Sequence, residues 1–174
     1  LGGGWAMEWS PVNPGSARAT ARVLAERQWQ EATGGAARIV RLPGIYGPGR
    51  SPFERLRDGT ATRVLKPGQV FSRVHVEDIA RGLEALLSKP ALSGVFHLCD
   101  DEPAPQDVTA FAAGLLGMAP PPETDIADAG LSPMARSFYA ECKRVSNARA
   151  KAALGWRPLY PSYREGLTAI LAES

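Results

Sequence analysis

Arg73 and His75 stand two residues apart in a run of β-branched and aromatic residues, so on a strand both side chains leave the same face. A guanidinium beside an imidazole can grip a substrate phosphate or hydroxyl; the pair also suits a solvated strand face. Gly44-Ile45-Tyr46-Gly47-Pro48-Gly49 follows the apolar run Arg38 to Leu42, and its bare backbone could approach a flat ring or a phosphate, or serve as a tight connection. It is not a G-x-G-x-x-G loop, because no helix opens at its third glycine. Between Leu131 and Tyr139, Arg136 and Tyr139 are the side chains suited to a polar substrate, in a stretch that reads as irregular and would otherwise be a surface excursion.

Other groups point to structure. His97 and Cys99 share a strand face and could be half of a zinc site, but no second pair stands at ligand spacing, so core packing and no metal are expected. Glu77-Asp78 offers too few oxygens for a hard cation and suits a helix N-terminus, as does the acidic run Asp100-Asp101-Glu102. No G-x-S-x-G nucleophile elbow is present, which leaves covalent hydrolase chemistry with little support.

The elements that would position these groups follow from caps and periodicity. Ser16 caps a helix reaching Thr33, stopped by Gly34-Gly35. Arg38 to Leu42 is a strand. Ser51-Pro52-Phe53-Glu54 is a capping box with proline at the first helical position. Thr62 to Leu65 and Val70 to Val76 read as strands separated by Lys66-Pro67-Gly68, and Ile79, Leu83, Leu86 and Leu87 form one helical face. Gly94 to Leu98 is a strand, and Pro105 opens a helix that packs Val108, Phe111, Ala112, Leu115 and Leu116. The prolines at 120–122 connect to an irregular stretch from Thr124 to Lys143. Ser146 caps a helix to Leu154, and Ser162-Tyr163-Arg164-Glu165 opens the last one. Strands alternating with helices predict an α/β fold with a mostly parallel sheet, whose ligands bind beyond the strands' carboxyl ends, after Leu42 and Leu98.

The chain has 174 residues, 44% hydrophobic and 22% charged, with net charge +2. That is material for one core, without an electrostatic footprint for nucleic acid or an anionic membrane. No apolar run approaches the roughly 20 residues that cross a bilayer, so a cytoplasmic protein is expected. Two distant cysteines predict free thiols. The opening Leu1-Gly2-Gly3-Gly4-Trp5 reads like the interior of a loop, as in part of a longer chain.

Four segments together carry a resemblance: Arg41-Leu42-Pro43-Gly44-Ile45-Tyr46-Gly47-Pro48-Gly49, Val74-His75-Val76-Glu77-Asp78-Ile79-Ala80, Leu154-Gly155-Trp156-Arg157-Pro158, and Glu165-Gly166-Leu167. In order and spacing they resemble the NAD(P)-dependent epimerase/dehydratase branch of the extended short-chain dehydrogenase/reductases, over about 150 residues. The resemblance implies a Rossmann-like, mostly parallel sheet remnant with a helical C-terminal substrate-binding part. Residues 1–50 would be the C-terminal part of the dinucleotide-binding fold, and 51–174 the substrate part interleaved with returning strands and helices, in a single domain. It implies NAD or NADP beside Leu42, Pro43, Gly44 and Ile45, a nucleotide-sugar or similar small polar substrate held by Arg73, Phe71, Arg136 and Tyr139, and a homodimer as one assembly to expect.

Two departures qualify it. The family's glycine-rich loop is not in this chain. The helix that should carry Tyr-x-x-x-Lys has Arg18 and Arg22 at the two positions, and arginine cannot lose a proton near neutral pH. As in atypical members of the family, Arg18 or Arg22 would stabilise charge while Tyr46 or His75 moves the proton. The alternative is a catalytically silent dinucleotide sensor or scaffold that kept the fold.

Overall fold

The computed structural model describes residues 2–105 and 107–173, with Pro105 described by its backbone alone. Leu1, the first residue of the expected opening loop, lies outside the described residues. A short strand, β1 (Trp5–Ala6), precedes helix α1 (Ala17–Ala32). Ser16 begins the helix as its sequence requires, its Oγ accepting the Ala19 N–H at 3.2 Å. Gly34 and Gly35 end it at φ 58° and 86°, a left-handed region that a side chain disfavours. No α1 side chain is buried, and Leu24 and Trp29 stay exposed. A bidentate pair, Arg41 to Glu26, ties the helix to the strand that follows.

That strand, β2 (Arg38–Arg41), lies parallel to β7 (Gly94–His97), with Arg38 opposite Gly94 and Arg41 opposite His97. Gly44 to Tyr46, expected as loop, forms β3 and pairs in parallel with β6 (Arg73–His75). The glycine-rich composition hid a strand whose partner is distant in sequence. Helix α2 (Pro52–Arg57) starts with the expected capping box, the Glu54 carboxylate accepting the Ser51 N–H at 3.0 Å and the Ser51 hydroxyl accepting the Phe53 N–H at 3.2 Å.

The two strands flanking Lys66-Pro67-Gly68 do not pair with each other. β4 (Arg63–Leu65) runs parallel to β9 (Glu123–Asp125), and β5 (Val70–Phe71) is antiparallel to β8 (Ala104–Pro105), with Ser72 separating β5 from β6. Helix α3 (Val76–Leu87) follows β6 directly. Pro105 therefore belongs to a strand, and the next helix, α4 (Val108–Leu115), is capped by Asp107, which Arg63 also holds in an ion pair.

The stretch 124–143 is not irregular. It contains part of β9 and all of helix α5 (Pro133–Ala140), whose N-cap Ser132 accepts the Ala135 N–H. Strand β10 (Arg144–Val145) pairs in parallel with β1. In α6 (Ala148–Leu154) the N-cap is Asn147, one residue beyond the expected Ser146, although the Ser146 hydroxyl accepts the Ala148 N–H. The capping box at Ser162 opens α7 (Tyr163–Ala172) as expected.

Four of the five strand pairings among the described residues are parallel. Two apolar clusters flank the β3–β6 ladder. One joins Tyr46 and Phe53 to α4 and α7 through Val108, Ala112 and Leu167; the other joins Val74 and Phe96 to α3 and α6 through Leu86, Leu154 and Trp156. Each fully buried Phe or Leu contributes about 1.5–3 kcal/mol relative to an exposed one, so the ladder is held on both sides. No described helix is long and apolar enough to cross a membrane.

Candidate functional site

The β3–β6 ladder sets the site's register. Gly44 is the direct partner of Arg73, Ile45 of Val74, and Tyr46 of His75. The two-residue period then places Gly44 with Tyr46, and Arg73 with His75. Gly44 is exposed; a Cβ added there would touch only the Ser72 carbonyl at 3.4 Å and Arg73 Cγ at 3.8 Å, so it leaves a strip of bare backbone beside the Arg73 stem.

Arg73 is half-buried, and its Nε is enclosed with no hydrogen-bond partner among the described residues. Its guanidinium carbon lies 5.9 Å from the Phe71 ring centroid, and Phe71 meets Tyr139 edge-on at 5.5 Å. Burial lowers the Arg73 pKa, while Asp100, Tyr46 and Tyr139 push it back up; an arginine stays charged through such shifts. An enclosed N–H without an acceptor is costly, and an anionic ligand would offset that cost. Three of the four expected substrate residues thus meet. The fourth, Arg136, is exposed on α5.

His75 is buried and occupied. Its Nδ1 accepts the Glu77 N–H at 3.3 Å, capping α3, so the neutral ring carries its proton on Nε2, which is buried without a partner. Burial lowers its pKa, and its ring packs edge-on to Tyr46 at 5.2 Å and Tyr160 at 4.3 Å. The Tyr46 hydroxyl turns inward, 3.2 Å from Asp100 Oδ2 and 3.3 Å from the Ser162 carbonyl. Burial, followed by the Asp100 charge, raises its pKa well above the ordinary tyrosine range. In this geometry Tyr46 is a strut between β3 and α7, and it presents no acidic proton to a ligand.

Arg18 and Arg22 are exposed one turn apart on α1. Leu42 is exposed, and Pro43 and Ile45 are half-buried, with Ile45 packed against the second apolar cluster.

Two acidic residues read as helix caps do other work. Asp78 is fully buried; its carboxylate accepts the N–H groups of Leu159 and Tyr160, the latter at 3.1 Å, and its carbonyl accepts Trp156 Nε1–H at 3.2 Å, fastening the segment before α7 to α3. Asp100 caps nothing. It lies at the carboxyl end of β7, where a ligand was expected, with Oδ1 buried and unpaired and its N–H donated to the Arg73 carbonyl at 2.8 Å. Burial pushes its carboxyl up to about 7, against the pull of the Tyr46 hydrogen bond. Asp101 instead pairs with Asn147 and Lys151 on α6. The signal available in the sequence was place: an acidic residue directly after a parallel strand.

His97 and Cys99 are buried and bind the carbonyls of Ser146 and Val145. No group of three or more metal-ligating side chains occurs among the described residues. Two surface clefts are lined by no residue of β3 or β6: one of about 380 Å³ between α1 and β2, bordered by Val23, Glu26, Ile39 and Arg41, and one of about 400 Å³ between the end of α3 and Trp156. The ladder, with its unpaired Arg73 Nε, carries the stronger chemistry.

No protein-family model matches the chain. It is 37% identical over 171 residues to 3-diazoavenalumate denitrifying reductase from a Streptomyces species, across 89% of this chain and 54% of that protein. It spans about half the length of the curated relatives it matches. A solved structure of a conserved protein of unknown function from Silicibacter pomeroyi DSS superimposes with a TM-score of 0.92 at 50% identity, covering 99% of this chain and 61% of that one. UDP-glucuronic acid 4-epimerase from Bacillus cereus, solved with NAD, superimposes with a TM-score of 0.75 at 17% identity, over 97% and 54% of the two chains. The chain carries a Rossmann-like α/β fold, the fold of the NAD-dependent epimerases and dehydratases among its structural neighbours.

Proposed function

We propose that the chain forms the substrate-side part of an NAD(P)-dependent oxidoreductase of the epimerase, dehydratase or reductase kind, acting on a small polar substrate with an anionic group, such as a nucleotide-linked sugar. The observation that carries this reading is the Arg73 guanidinium, buried at Nε without a partner, flanked by Phe71 and Tyr139 and in register with the bare backbone of Gly44. The likeness to a protein named as a reductase and to structures solved with NAD supports the cofactor half of the reading.

The exposed Gly44 fits a flat ring, since no side chain there holds it at a distance. Leu42, Pro43, Gly44 and Ile45 would border the nicotinamide. The bound dinucleotide would supply or accept a hydride. Arg73 holds the substrate's anionic group, Phe71 and Tyr139 offer edges and faces to its ring, and Arg136 reaches from the exposed side of α5. Arg18 and Arg22 stabilise negative charge and cannot move a proton. His75 remains the protein's candidate for proton movement only if its Nε2 becomes accessible; the Tyr46 hydroxyl is committed to Asp100.

The arginines at 18 and 22 also favour a second reading, a dinucleotide sensor that binds without turnover. One experiment separates the two. The full-length protein is incubated with NADPH or NADH and a panel of nucleotide sugars and other small anionic carbonyl or diazo compounds, and reduced dinucleotide is followed by absorbance. Turnover that is lost in Arg73→Ala supports the enzyme; cofactor binding with no turnover across the panel supports the sensor.

A further inference from the structure

Arg73 and Asp100 sit side by side with opposite charges, and no ion pair joins them among the described residues. The main chain holds them together, through the Asp100 N–H on the Arg73 carbonyl at 2.8 Å. Each keeps one buried atom unsatisfied, Arg73 Nε and Asp100 Oδ1. A structural pair would close on itself, satisfying the enclosed Nε–H and Oδ1 together.

We propose that Asp100 is a positioning residue whose protonation sets the affinity of Arg73 for an anion, so that the anion enters together with a proton. This rests on the reading of Arg73 as the anion anchor. With Asp100 neutral, the whole guanidinium charge faces the ligand. With Asp100 ionised, part of that charge is cancelled, and the incoming anion meets a second buried negative group. By linkage, an anion that binds the neutral form better must raise the proton affinity of Asp100.

The surroundings tune the midpoint. From β3, the Tyr46 hydroxyl donates to Oδ2 and favours the ionised form; from β6, Arg73 does the same. From α3, Asp78 disfavours it, as does Asp101 next in the chain. The Ser162 carbonyl, at the start of α7, shares the Tyr46 hydroxyl. Lys151 on α6 is spent on Asp101. His75, Tyr46 and Tyr139 are shifted away from neutrality in the directions that leave them uncharged. Asp100, with its carboxyl pushed up to about 7, is left as the group that changes charge where anion binding would be measured.

The test is calorimetric titration of the full-length protein with sulfate, whose charge is constant across the range, in chloride-free buffers from about pH 6 to about pH 8.5. The expected result is a dissociation constant that rises about threefold to tenfold per pH unit above the midpoint, with net proton uptake revealed by buffers of different ionisation enthalpy. Asp100→Asn should flatten the profile, and Tyr46→Phe should move the midpoint to higher pH by removing a bond to the ionised carboxylate. If Asp100→Asn does not fold, proton uptake by the wild-type protein decides alone. Sulfate binding that depends on Arg73 but neither varies with pH nor takes up a proton overturns the inference and leaves the anion anchor standing. Sulfate binding at no pH, or binding unaffected by Arg73→Ala, overturns the anchor itself.

Discussion

A Cβ on Gly166 would lie 2.3 Å from the Tyr46 hydroxyl, so α7 passes the end of β3 with room for a glycine and nothing larger. In a helix interior, Gly→Ala ordinarily stabilises by about 1 kcal/mol. Here the sign should reverse. The ring atoms behind the hydroxyl are also within 2.8 Å of that Cβ, and Tyr46 is buried with no space to retreat. Gly166→Ala should cost about 1–3 kcal/mol in chemical denaturation, and a stabilised variant would show that α7 is not seated on Tyr46 as described.

Asp78 should be among the most sensitive polar positions. Asp78→Ala strands the Leu159 and Tyr160 N–H groups, and a loss of about 2–4 kcal/mol is expected from denaturation curves. Asp78→Asn keeps one acceptor and should lose less.

Arg73 should behave in the opposite way. Arg73→Met removes an enclosed Nε–H that has no acceptor and retains most of the side-chain volume against Phe71. Thermal unfolding should show stability unchanged or raised by about 1 kcal/mol, while sulfate and substrate binding disappear. A strongly destabilised Arg73→Met would mean that the guanidinium serves the fold.

The stability of the protein should carry the signature of Asp100. Burial pushes its carboxyl in the folded protein up to about 7, above the ordinary 3.8 of an aspartate. A raised carboxyl contributes stability that is complete below 3.8 and lost as pH rises through about 7. Asp100→Asn does not titrate, so its stability relative to wild type should rise across that window and level off above it, by roughly 4 kcal/mol at most. Parallel denaturation series at several pH values measure the difference directly.

What the sequence disclosed was the chemistry that acts over a few residues. The capping boxes at Ser51 and Ser162 and the glycine stop after α1 lie within one or two helical turns, and each formed where expected; of the expected α3 face, Ile79 and Leu86 pack inward while Leu83 and Leu87 stay exposed. Asp100 stayed hidden because its partner Tyr46 lies 54 residues away, and Ser162, which shares the Tyr46 hydroxyl, lies 116 residues from Tyr46, beyond the reach of any local pattern. Beside Asp101 and Glu102 it looked like a cap. Strands β3 and β9 were missed for a similar reason: each is three residues long and exists through a partner far along the chain. Helix α5 was missed although Ser132-Pro133 is a start signal, because Met134 and Phe138 form an exposed apolar pair and the polar residues around them obscured the period.

The gathering of Phe71, Arg73 and Tyr139 was expected from the resemblance rather than from pattern, and β5, β6 and α5 bring them together. The inward turn of Tyr46 follows from the packing of α7, which no local signal encoded.

Titration of the full-length protein with NADPH and with NADH, read as tryptophan-sensitised nicotinamide emission, tests most directly whether Gly44 and its neighbours border a dinucleotide. A saturable signal that weakens at least several-fold in Gly44→Val is predicted, since a side chain there would hold the ring away from the backbone. A flat trace with both dinucleotides, from protein shown to be folded, would contradict it.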